Sequence, residues 1–235
     1  VMLQALLAIG FYFYFGGLAP AGDANRYISA ADNLLNGRPL IERQASYFTY
    51  ILVLAFFKGL GLSLIWVVFF QWVMSSVATI CLYKLSSTLC DFPASIFGPL
   101  LFFFIDIQRW NQTILSDSLY ISCAIILVYL LNKICTGKLD WRIVAFTFFF
   151  GIGTIFLRPN GWALIPVLLL TVFHIPGISF QRKSVLFAVM SVLIFVLVSL
   201  VSSHSEGQSL YLVWTMKGEV IWSYVPARIS MPQPD

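Results

Sequence analysis

Charge is scarce in this chain. Only 10% of its 235 residues are charged, against about 25% in an ordinary soluble domain. So few charges cannot cover a water-facing surface, which excludes a soluble globular domain, a disordered chain and a coiled coil. The 14 Lys and Arg are dispersed, so no basic block offers itself to nucleic acid. The four cysteines (Cys81, Cys90, Cys123, Cys135) form no CxxC pair and have no metal-ligand spacing, which excludes a disulfide scaffold and leaves buried thiols. His174 and His204 belong to no HExxH-like pattern. No P-loop, no strand-linked GxGxxG, no internal repeat and no low-complexity tract is present.

Apolar residues are abundant: 60% are hydrophobic, 17% are aromatic, and the mean hydropathy is +0.89. The apolar runs are long and continuous rather than short and alternating, so an all-α integral membrane protein is expected and a transmembrane barrel is not. Runs fall at 2–19, 47–57, 62–83, 94–107, 118–132, 143–157, 161–175 and 184–203. A span needs about 20 apolar residues. The run at 47–57 is short and meets Lys58-Gly59-Leu60-Gly61, and an unpaired Lys at mid-bilayer is costly. It reads as an embedded or interfacial helix, leaving about seven transmembrane helices, the first read as a retained span.

Basic loops orient these spans. With the N-terminus inside, the inner loops carry Lys84, then Lys133, Lys138 and Arg142, then Arg182 and Lys183. The outer face receives the segment 20–61, short loops with Arg109 and Arg158, and the tail after Ser203. A crossing at 47–60 would turn every basic loop outward. Trp110, Trp141 and Trp162 stand at run ends, as an aromatic belt requires.

The outer segment predicts two juxtamembrane helices. Pro20 to Gly22 ends the first span, and Asp23 caps a helix running to about Asn36, stopped by Gly37 and Pro39. Tyr27, Ile28, Ala31, Leu34 and Leu35 share one face, while Asn25, Ser29, Asp32 and Asn36 line the other. Such a helix lies on the membrane surface. The second is the embedded helix at 47–60. Residues 1–203 thus form one transmembrane module, and residues 204–235 form a short outer tail that ends abruptly at Asp235.

Several short motifs share this outer face. Gly22-Asp23-Ala24-Asn25-Arg26-Tyr27, with Leu35, Asn36-Gly37 and Tyr47 through Gly61, resembles the first outer loop of GT-C glycosyltransferases. These membrane enzymes take a sugar from a polyprenyl-phosphate carrier; they include protein mannosyltransferases and aminoarabinose transferases. Ser116-Asp117 resembles the family's second acidic motif, and Leu157-Arg158-Pro159-Asn160-Gly161 resembles its Arg-Pro turn. Ala24 departs from the pair of adjacent acids common in relatives, and their longer C-terminal half has no counterpart here. The resemblance, over residues 1–203, implies a multi-pass enzyme of the cell envelope. Its active site would face the periplasmic or lumenal side, in a bacterium the periplasmic side of the inner membrane. Its partners would be a polyprenyl-phosphate-linked sugar donor, membrane lipids, and an acceptor glycan, lipid or protein. Some relatives use a divalent cation, but one acid in each of two loops makes a thin cage, and no metal ligands are assigned.

The chemistry also follows from the residues. An alcohol needs a carboxylate to accept its proton as the glycosidic bond forms. A lipid phosphate leaving group needs a permanent, bidentate cation. Asp23 and Asp117 are the candidate catalytic acids, with Asp106 as a possible second acid. Arg158, Lys58 and Arg26 are the candidate phosphate ligands. Each has a plainer reading. Asp23 and Asp117 are also good helix caps, with Ser116 competing at the latter. Asp106 stands three residues from Arg109 and could pair with it. Arg158 could snorkel, Lys58 and Arg26 could meet headgroups, and His174 reads as interfacial. The Asn111-Gln112-Thr113 sequon lies too near the membrane to be glycosylated. Two rivals to a glycosyltransferase remain: a flippase for lipid-linked sugars, which would use the same outer charges but normally shows charged midplane helices, and a non-catalytic scaffold.

Overall fold

The computed structural model describes residues 9–10, 13, 23–104, 110–137, 139–203 and 205–206, and omits the side chains of 41–43, 101–104 and 201–206. The described chain is almost entirely helical. Helix α1 spans Ala24–Leu35 and α2 spans Phe48–Gly59. Helices α3 (Ile65–Leu89), α4 (Phe97–Phe104), α5 (Ser116–Thr136), α6 (Trp141–Ile155), α7 (Leu164–His174) and α8 (Phe180–Ser203) follow. Short 3-10 turns precede α2, α4 and α7. The exception is a two-residue parallel ladder, β1 (Leu40–Ile41) with β2 (Ser205–Glu206).

Three helices are long and apolar enough to cross a membrane: α3, α5 and residues Phe180–Leu200 of α8. Helix α6 and the stretch Pro159–His174 are apolar but shorter. Helix α2, at 12 residues, rises only about 18 Å, well short of a hydrocarbon core about 30 Å thick. The first expected span falls almost wholly outside the described residues.

The chain runs back and forth between two ends. Gln71 near the start of α3 bonds to the turn that precedes α5. Farther along, Ala78 and Cys81 pack against Ile126. Helices α3 and α5 therefore run parallel, and the residues between them must return the chain. At the same end, the Thr49 amide donates to the Phe156 carbonyl at 3.1 Å, and β2 joins β1. At the opposite end Lys183 Nζ donates to the Phe173 carbonyl at 2.7 Å. Lys84 and Lys133, near the ends of α3 and α5, and Arg142, Arg182 and Lys183, in the first turns of α6 and α8, all fall there.

The two short helices expected in the segment 20–61 both form, with one adjustment. The buried face of α1 is Tyr27, Ala30 and Ala31, while Leu35 is exposed. Small residues at 30 and 31 let α2 approach closely. Tyr27 meets Tyr50 near one end, and Leu35 reaches Gly59 near the other, so α1 and α2 run parallel. Both pack through Tyr50, Ile51 and Leu54 onto Val67 of α3 and Leu119 and Cys123 of α5. A second core joins α5, α6, α7 and α8 around Leu127, Phe148, Leu168 and Ile194.

Candidate functional site

The first half of the site comes from the opening turn of α1. Asp23 occupies the N-cap position, yet its side chain makes no capping bond. Its carboxylate instead faces Arg26 Nη2, one turn on, at 3.5 Å. Asp23 is 54% exposed and Arg26 35%, so this contact stabilises by about 1 kcal/mol at most. The expected cap role is therefore not what holds the carboxylate. Tyr27 points the other way, into the core, at 2% exposure.

The second half comes from α5 and the Arg-Pro turn. Leu115, extended, takes the N-cap position of α5, so neither Ser116 nor Asp117 caps it. Asp117 sits in the first turn, where a negative charge suits the helix dipole. Arg158 is extended because Pro159 follows it. A bond from the Gly161 amide to the Arg158 carbonyl, at 2.9 Å, closes the turn. Gly161 is required there: a Cβ would stand 2.8 Å from the Ile155 Cα and collide with its carbonyl. The turn directs Arg158 onto Asp117, forming an ion pair with Nη1 on Oδ1.

Hydroxyl groups join the halves. The Tyr27 hydroxyl lies 3.5 Å from Ser116 Oγ, and Arg26 Nη2 donates to it at 3.5 Å. The Arg26 guanidinium lies 5.3 and 5.4 Å from the centroids of the adjoining Tyr27 and Tyr47 rings, a cation–π contact with both. Burial works against the charge on Arg26, but the Tyr27 hydroxyl and Asp23 outweigh it and raise its pKa. The Tyr47 phenol is pushed well above its ordinary value, first by burial and then by Tyr27, against the downward pull of both Arg26 and Arg158. Both guanidinium groups therefore act on one phenol. Each also has a buried Nε–H with no hydrogen-bond partner among the described residues. Two buried, unused donors on two cations, with three hydroxyls nearby, suit an oxyanion.

Asp23, Arg26, Asp117 and Arg158 are thus brought together. Lys58 is not. It pairs with Asp32 at 2.5 Å, nine residues and about 13 Å along α1 from Asp23. That pairing also answers the cost of an unpaired Lys. Asp106 lies outside the described residues. His174, at the opposite end, has its Nδ1 3.2 Å from the Leu170 carbonyl of its own helix.

The residue reading missed a buried network that holds the site's floor. Gln71, fully buried in α3, accepts from the Tyr50 hydroxyl at 2.9 Å and donates to the Thr113 carbonyl at 2.9 Å. It ties α2 to the turn that presents Ser116 and Asp117. The signal was present: Gln71 is the single amide side chain in a 25-residue apolar helix, and a polar group there needs a partner.

A resident divalent cation does not fit this donor set. Such ions take about six or more oxygens, whereas Asp23 and Asp117 each face a guanidinium. No group of three or more His, Cys, Asp and Glu occurs among the described residues.

Compared with known proteins, the chain matches no family model, no curated protein and no solved structure.

Proposed function

We propose that this chain is a GT-C-like glycosyltransferase that moves a sugar from a polyprenyl-phosphate carrier to an acceptor hydroxyl at the non-cytoplasmic membrane face. The observation that carries this reading is the pair of unused Nε–H donors on Arg26 and Arg158, set against the shared Tyr47 phenol. A phosphate oxygen that accepts from either Nε–H satisfies a donor with no partner among the described residues.

The roles divide by how tightly each acid is held. Asp117 is committed to Arg158, so it positions that cation rather than accepting a proton. Asp23 is more exposed and only loosely paired, so it is the general base. The acceptor oxygen attacks the anomeric carbon as its proton passes to the Asp23 carboxylate. The bond from that carbon to the phosphate oxygen breaks, and its electron pair stays on the phosphate. Arg26 and Arg158 stabilise the growing charge there, helped by low dielectric. Tyr27 and Ser116 supply hydroxyl donors.

The seven-span topology belongs to the same reading. Helices α3 to α8 alternate between the two ends, and an additional crossing before Asp23 makes seven, with α1 and α2 at the surface. The cations at the opposite end then face the cytoplasm, in a bacterium across the inner membrane, and the Asp23 end faces the periplasm. The acceptor is a glycan, a lipid or a protein.

The test is transfer by purified, reconstituted protein, supplied with polyprenyl-phosphate sugars and membrane-extract acceptors. Wild type should glycosylate an acceptor, and Asp23→Asn should abolish transfer while the protein still folds. Lipid translocation without any glycosylated acceptor would instead identify a flippase.

A further inference from the structure

A second amphipathic site lies at the other end of α1. A cavity of about 410 Å³ is lined by Leu34, Arg38, Pro39, Leu40, Phe48, Leu197 and Leu200. Its size falls within the range of about 300–1,000 Å³ usual for ligand sites. Apart from Arg38, every lining side chain is apolar. Two of them, Leu197 and Leu200, belong to the last turns of α8, a helix long and apolar enough to cross a membrane. The trough therefore borders a helix of spanning length and composition.

Arg38 supplies the charge. It is exposed and has no ion pair or side-chain hydrogen bond among the described residues. The nearby acid of α1, Asp32, is already taken by Lys58 at 2.5 Å. An exposed cation with no ion pair among the described residues thus sits at the mouth of an apolar trough beside a helix long enough to span. That combination complements a single ligand class, an anionic headgroup on a hydrocarbon chain.

We infer that this cavity holds one chain of an anionic membrane phospholipid, with Arg38 on its headgroup. The ligand is not the sugar donor. Arg38 lies beyond the far end of α1 from Arg26, and nine helical residues alone separate the ends by about 13 Å. The inference depends on membrane insertion and not on sugar transfer.

The test uses the full chain in nanodiscs of phosphatidylglycerol or phosphatidylcholine, with native mass spectrometry after release. Wild type should retain phosphatidylglycerol and not phosphatidylcholine. Arg38→Gln should lower retention about fivefold, the effect of one surface cation on an anionic headgroup. Leu200→Trp, which fills the trough at an exposed position, should lower it as well. Arg142→Gln, at the opposite end, should leave retention as in wild type. Equal retention of the two lipids, an unaffected Arg38→Gln protein, or capture of polyprenyl phosphate alone would each overturn the inference.

Discussion

Replacing Asp117 by Asn removes a charge and almost no volume. Its partner Arg158 then keeps a guanidinium that is three-quarters buried, the two side chains being 25% and 27% exposed. Breaking a fully buried pair costs about 3–5 kcal/mol, while an exposed pair contributes about 1 kcal/mol or less. The observed burial lies between, so Asp117→Asn should destabilise by about 2 kcal/mol. Arg158→Gln should cost a similar amount. The double variant should cost less than the sum by about 1–2 kcal/mol, because either single change already breaks the pair. Asp23→Asn, at a 54% exposed position, should change stability by less than about 1 kcal/mol. Reversible denaturant titration in mixed micelles measures all four. Simple additivity at 117 and 158, or an Asp117→Asn protein as stable as wild type, would refute the pairing as the element that holds Arg158.

Two further substitutions test the scaffold. Gln71→Leu should cost about 2 kcal/mol, since it leaves the buried Tyr50 hydroxyl without its acceptor and the Thr113 carbonyl with one donor fewer; the same titration reads it. Gly161→Ala should destabilise and should also weaken phosphate binding, because the clash with Ile155 is with backbone and must shift the turn that aims Arg158. Ser29→Ala, on the exposed face of α1, is the matched control and should change neither stability nor binding.

Much of this architecture was legible because it depends on local pattern. The period of α1, the Gly37 stop and the proline after Arg158 each act over a few residues, and the helix and turn appear where they were expected. Loop charges sorted the two ends for a similar reason, since each loop is short. What escaped depends on contacts remote in sequence. Lys58 read as a phosphate ligand because its partner, Asp32, stands on another helix, and only the parallel arrangement of α1 and α2 brings them together. Tyr27 read as part of the apolar face of a surface helix; its ring is buried in the protein instead, and its hydroxyl meets Ser116, 89 residues away. The role of Asp117 separated from that of Asp23 only once their partners and exposures were known. The expected count of about seven spans is not confirmed: three helices are long and apolar enough to cross, and α6, with 15 residues, falls short of a full crossing although its run was counted as one.

The central claim is that Arg26 and Arg158 together hold a lipid-borne phosphate. Its most direct measurement is the binding of polyprenyl phosphate, the transfer product, to purified protein by native mass spectrometry. Arg158→Ala should weaken binding by about tenfold or more, since a charge-assisted bond contributes about 1.5–3 kcal/mol. Arg182→Ala, at the opposite end, should bind as wild type does. Equal loss from both variants, or none from Arg158→Ala, would contradict the account.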